Sequence, residues 1–126
     1  MVERPATPFL PRQVTIDGYR DRFFHFGGMS HAGSITALPS GIRPWRPEHV
    51  RDLMPEDFSV LVADASAFEL LLIGTGRDLA HLREPLKQVL RDCGLRFDVM
   101  STPAAASTYN ILLDEGRRVG AALIAV

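Results

Sequence analysis

A chain of 126 residues, 46% hydrophobic and 23% charged, has the length and usage of one globular domain that buries its core without a metal or a disulfide. Fourteen basic residues against fifteen acidic ones leave a formal charge of −1, which gives no electrostatic footprint for nucleic acid or an anionic membrane. The single cysteine, Cys93, excludes an intramolecular disulfide and a paired-cysteine metal or redox site.

Residues 1–12 carry Pro5, Pro8 and Pro11 and no apolar core of signal-peptide length, so they are expected to form a flexible arm before a domain over residues 13–126. Val14 and Ile16 then alternate, Asp17-Gly18 reads as a turn, and Phe23, Phe24 and Phe26 form a second apolar run. Gly27-Gly28 and His31-Ala32-Gly33 mark two further reversals, since such residues supply the positive φ angles of tight hairpins. Residues 13–42 are therefore expected to make an antiparallel sheet of three or four short strands. Pro44-Trp45-Arg46-Pro47 is a stiff connection, followed by two short helices expected over residues 48–54 and 55–63.

The second half has a clearer rhythm. Residues 68–73 are nearly continuously apolar, as in a strand covered on both faces, and too short to cross a bilayer. Gly74-Thr75-Gly76 closes that run. Leu82, Leu86, Val89 and Leu90 repeat at helical spacing, with Pro85 placing the helix start near Glu84 and Gly94 suited to its stop. Residues 95–100 alternate as a strand. Ser101 or Thr102 caps a helix that opens at Pro103 and ends at Gly116, and residues 117–126 close the chain as a strand. The fold class is thus α/β: a single three-layer domain with a central mixed sheet, helices packed on it, and N-terminal antiparallel strands against or beside it.

Two loops carry the site expectation. Gly74, Thr75 and Gly76, with Arg77 beside them, follow one strand, and Thr102-Pro103 follows the next. If those strands are neighbours, the loops face each other across the crevice where open α/β sheets hold ligands. Tight turning and helix capping explain the same residues without a ligand. Tyr109 and Asn110 lie within the last helix; a ligand role for them would need Thr75, Arg77, Thr102, Tyr109 and Asn110 to point into one space. The alternative is structural, with the Tyr109 hydroxyl paired at the surface and Asn110 satisfying buried backbone. Trp45 is either a lid over the core or an anchor for a partner. The four histidines, His25, His31, His49 and His81, show no metal-ligand spacing, and no nucleotide or other cofactor motif is present.

Leu72-Ile73-Gly74-Thr75-Gly76, Met100-Ser101-Thr102, Thr108-Tyr109-Asn110, Glu115-Gly116-Arg117 and Ala121-Ala122-Leu123-Ile124, taken in this order, resemble the markers of one small family. It is the domain-of-unknown-function family that contains mitochondrial complex I assembly factor 3 and bacterial and archaeal relatives. The resemblance runs from about residue 14 to residue 126. It implies a three-layer α/β fold and a role in assembling respiratory NADH:quinone oxidoreductase, with protein partners and no established activity or cofactor. Relatives often show Gly-Ala-Ala-Cys-Arg after the capping Thr, where this chain has Pro103-Ala104-Ala105-Ala106-Ser107; Ala106 and Ser107 stand at the positions best able to react or to hold an anion. The expectation is a cytoplasmic, non-enzymatic interaction or assembly protein, with a small-ligand binder or enzyme using the crevice as the rival. An exposed strand edge would offer a route to a homodimer.

Overall fold

A computed structural model describes residues 9–126, so residues 1–8 of the expected arm lie outside the described part. Strands β1 (Gly18–Arg20), β2 (Phe23–Phe26) and β3 (Met29–Ala32) form an antiparallel meander. Strands β4 (Ile35–Leu38), β5 (Gly41–Pro44), β6 (Leu70–Gly74), β7 (Arg96–Met100) and β8 (Val119–Leu123) form a mixed sheet in the order β5-β4-β8-β6-β7. Helices α1 (Ser59–Ala63), α2 (Glu84–Asp92) and α3 (Thr102–Asp114) connect its second half.

Strand β8 is the hinge of this topology. It runs antiparallel to β4, with Ile35 opposite Leu123, and parallel to β6, with Leu72 opposite Ala121. Its small residues Gly120, Ala121 and Ala122 are buried, and a Cβ at Gly120 would come within 2.9 Å of the Leu38 side chain and 3.1 Å of Phe68. The alternation of side chains sends Leu72, Ala121 and Leu123 to one face and Leu71, Ile73 and Ala122 to the other. On the first face they meet α3 and the meander, through Ala105, Tyr109, Phe24 and Phe26. On the second they meet α1 and α2, through Leu61, Leu86 and Leu90. This is the expected three-layer arrangement.

Trp45 closes the second core as a lid. Its ring lies 6.2 Å from that of Phe58, its indole N–H donates to the Asp57 carbonyl (2.9 Å), and it is 7% exposed. At the other end, Leu10 exchanges two backbone hydrogen bonds with Ile42 (both 2.9 Å), and Phe9 packs edge-on against Phe26 and His31.

Three local expectations are corrected. Residues 13–42 do not make one sheet: β1 to β3 stand apart, while the β4–β5 hairpin joins the central sheet. The Asp17-Gly18 turn is absent, because Gly18 is already paired with His25 and the Asp17 N–H donates to the His25 carbonyl (2.7 Å). The chain reverses instead at Asp21 and Arg22, with φ of 52° and 65°, a left-handed pair that the Val126 carbonyl pins by accepting the Arg22 N–H. The helix expected over residues 48–54 shrinks to one 3₁₀ turn, Val50–Asp52. Its carbonyls are taken by distant guanidiniums: Glu48 by Arg22 (2.7 Å), Asp52 by Arg46 (2.6 Å) and Leu53 by Arg83. Elsewhere the expected turn and stops stand, at Gly27-Gly28 (φ 54° and 78°), Gly94 and Gly116 (both φ 75°).

Candidate functional site

Strands β6 and β7 are adjacent and parallel, so the loops that leave their carboxyl ends do meet. They meet too closely to leave space between them. A Cβ on Gly74 would stand 2.8 Å from both the Cα and the Oγ1 of Thr102, so only glycine allows this approach. The Gly76 N–H donates to Thr102 Oγ1 (2.9 Å), the Thr102 N–H donates to the Gly76 carbonyl (2.7 Å), and the Thr102 hydroxyl donates onward to the Ile124 carbonyl (2.7 Å). Thr102 is fully buried by this stitch. The cap itself is Ser101, whose Oγ accepts the Ala104 N–H at 3.4 Å.

Thr75 is bound in the same way. Its hydroxyl donates to the Asp78 carbonyl (2.7 Å), with the Met100 carbonyl 3.2 Å away, and accepts the Ala80 N–H (3.0 Å). Both threonine hydroxyls are thus fully engaged by backbone. Arg77 and Asp78 are exposed.

Tyr109 and Asn110 lie elsewhere, on the α3 side of the sheet. The Tyr109 hydroxyl donates to the Val14 carbonyl (2.6 Å), and the ring is fully buried rather than paired at the surface, so burial pushes its phenol above the ordinary value. The Asn110 amide exchanges two hydrogen bonds with the backbone of Ile16, accepting its N–H and donating to its carbonyl, both at 2.7 Å. Gln13 adds a donation to the Val119 carbonyl (2.6 Å). Residues 13–16 make no strand of their own and are strapped to the domain by these side chains. Thr75 and Thr102 are therefore brought together, Arg77 lies beside them, and Tyr109, Asn110 and Trp45 do not join them.

The histidines are dispersed. His25 Nδ1 lies 2.7 Å from Ser30 Oγ, and burial lowers the His31 imidazole, opposed by the hydrogen bond it makes to the Ser34 backbone. Among the described residues no group of three His, Cys, Asp or Glu side chains is placed to hold a metal ion. The Cys93 thiol is half-buried and donates to the Leu90 carbonyl (3.2 Å). Arg118 pairs with Glu69 at 2.5 Å, which holds that carboxyl below its usual range. No helix among the described residues is long and apolar enough to cross a membrane.

The open concavity near the two loops lies to one side of their junction. Arg22, His49, Arg51, Thr75, Gly76, Arg77 and Asp78 line it together with Val50 and residues 124–126, and its volume is about 490 Å³. Sequence reasoning picked out Thr75, Gly76 and Arg77 but missed Arg22, His49 and Arg51, which no motif connects.

Comparison with known proteins gives a consistent outcome. Residues 16–124 match the family described as protein of unknown function (DUF498/DUF598). The chain is similar to an uncharacterised protein of Rhodobacter capsulatus, 39% identical over 120 residues that cover 95% of this chain and 91% of that protein. It is 33% identical over 115 residues to NADH dehydrogenase [ubiquinone] 1 alpha subcomplex assembly factor 3 of Rattus norvegicus, covering 91% of this chain and 62% of the rat protein. The match therefore spans less than two thirds of the mammalian relative. Among solved structures, a crystal structure described as an outer membrane protein from Bartonella henselae superposes with a TM-score of 0.88 at 41% identity, covering 93% of this chain and 98% of that one.

Proposed function

We propose that this chain, which belongs to the DUF498/DUF598 family of proteins of unknown function, is an interaction protein that helps to assemble respiratory NADH:quinone oxidoreductase. The observation that carries the reading is the similarity to assembly factor 3, sustained over 91% of the chain. The candidate loops lend support from their chemistry. The hydroxyls of Thr75 and Thr102 are engaged by backbone at 2.7–3.0 Å, which leaves neither free to act as a nucleophile or to take up a proton. The reading places the protein in the cytoplasm, acting on subunits before or during their insertion.

The test is genetic and biochemical. Deleting the gene in its source organism should reduce the assembled oxidoreductase on native gels, and an affinity-tagged copy, crosslinked mildly with membranes included, should recover its subunits. Normal levels of assembled, active enzyme in the deletion strain would overturn the reading.

A further inference from the structure

The cavity beside the loop junction combines three features of a ligand site. It lies at the carboxyl ends of the parallel strands β6 and β8, where open α/β sheets bind ligands. Its volume of about 490 Å³ falls in the range of small-molecule pockets, and part of its wall is apolar, from Val50, Ile124 and Ala125. The third feature is charge: Arg22, Arg51 and Arg77 all line it, with Asp78 the only acidic side chain among its lining residues.

Some arginines of the chain are already neutralised. Arg46, Arg91 and Arg118 are each held by a carboxylate at 2.5–2.7 Å. Among the described residues, none of Arg22, Arg51 and Arg77 takes part in an ion pair. They also arrive from three separate elements: the β1–β2 turn, the 3₁₀ turn Val50–Asp52, and the loop after β6. Arg22 is anchored by its donation to the Glu48 carbonyl (2.7 Å), which fixes one wall. The other large hollow, about 400 Å³ at the opposite ends of the strands, sets Arg96, Arg117 and Arg118 against two acids, Glu69 and Asp98, and Glu69 pairs with Arg118.

We infer that this cavity binds a small phosphate-type ligand, with Arg22, Arg51 and Arg77 as the contacting cations. Guanidinium donors arriving from three elements suit a tetrahedral oxyanion, whose oxygens face several directions, better than a planar carboxylate served by one fork. The apolar wall takes the uncharged remainder of the ligand. The site is independent of the assembly reading and stands or falls separately.

The experiment is a titration of the whole chain with pyrophosphate at constant ionic strength, followed by amide NMR shifts. Saturable shifts confined to residues 48–51, 75–78 and 124–126 are expected. Arg51→Ala and Arg77→Ala, both at exposed positions, should each weaken binding about tenfold while leaving the melting temperature in place. Arg117→Ala, at the opposite ends of the strands, should leave binding unchanged. Non-saturable shifts, or affinity indifferent to Arg51 and Arg77, would overturn the site. Citrate binding as tightly as pyrophosphate would overturn the phosphate assignment.

Discussion

Replacing Thr102 by valine removes one hydroxyl and keeps the shape of the side chain. In the folded protein that hydroxyl accepts from the Gly76 N–H (2.9 Å) and donates to the Ile124 carbonyl (2.7 Å), and the residue has no exposed surface. Valine leaves a buried donor and a buried acceptor unpaired, at about 1–3 kcal/mol each, so a loss of roughly 2–4 kcal/mol is expected after the gain from a more apolar side chain. Thr102→Ser is the control. It keeps the hydroxyl and loses one methyl group, worth about 1 kcal/mol. Urea unfolding should therefore rank wild type above Thr102→Ser and Thr102→Ser above Thr102→Val, with a common m-value. At this chain length the valine variant should melt roughly 8–16 °C below wild type. A valine variant as stable as the serine variant would refute the view that the hydroxyl stitch, rather than packing, joins the two loops.

Two other substitutions report on separate parts of the molecule. Tyr109→Phe leaves the Val14 carbonyl without its donor and should cost about 1–2 kcal/mol in urea unfolding. Because burial raises the Tyr109 phenol above its ordinary value of 10.0, the neutral ring stabilises the fold below that pH and the contribution is lost as the pH rises beyond it. Wild type and Tyr109→Phe should thus converge in stability at alkaline pH, and Tyr109 should ionise only as the chain unfolds in an ultraviolet titration. At Asp57, burial pushes the carboxyl up, but hydrogen bonds from Arg46 (2.6 and 2.8 Å) and the Met54 N–H (2.8 Å) outweigh it and hold the group below 3.8. Its contribution is present above that value and lost as the pH falls through the lowered one. Asp57→Asn should accordingly be less stable than wild type at neutral pH, with the gap closing in acid denaturation curves.

The strand–helix–strand–helix–strand half was legible because its signals are local. The apolar run ending at Ile73, the helical spacing of Leu86 and Leu90, and Gly94 and Gly116 at the stops need no distant partner to be read. The N-terminal half failed where distant groups decide. Asp21 and Arg22 carry no glycine, yet adopt left-handed angles because the Val126 carbonyl and the Gly33 N–H hold the turn from outside. The helix expected over residues 48–54 is cut short where Leu53 and Met54 turn extended ahead of Pro55, and guanidiniums from Arg22, Arg46 and Arg83 take the carbonyls of Glu48, Asp52 and Leu53. The same long reach hid the cavity, since Arg22, Arg51 and Arg77 share no spacing and meet only after the sheet has formed. Asn110 was read correctly in kind, as a group that satisfies buried backbone, but its target, Ile16, lies 94 positions away and could not be named.

The place of β8 sets a timetable for synthesis. Ribosomes deliver it last of the eight strands among the described residues, yet it lies in the middle of the sheet, bonded to β4 on one flank and β6 on the other. Until β8 has left the ribosome and inserted, β4 and β6 lack the strand that joins them, and each has an open edge facing the vacancy. Those edges are the sticky state of this protein, able to capture strands from other chains during growth on the polysome. Released chains truncated just before Val119 should bind holdases, whereas chains that carry β8 should fold in one cooperative step.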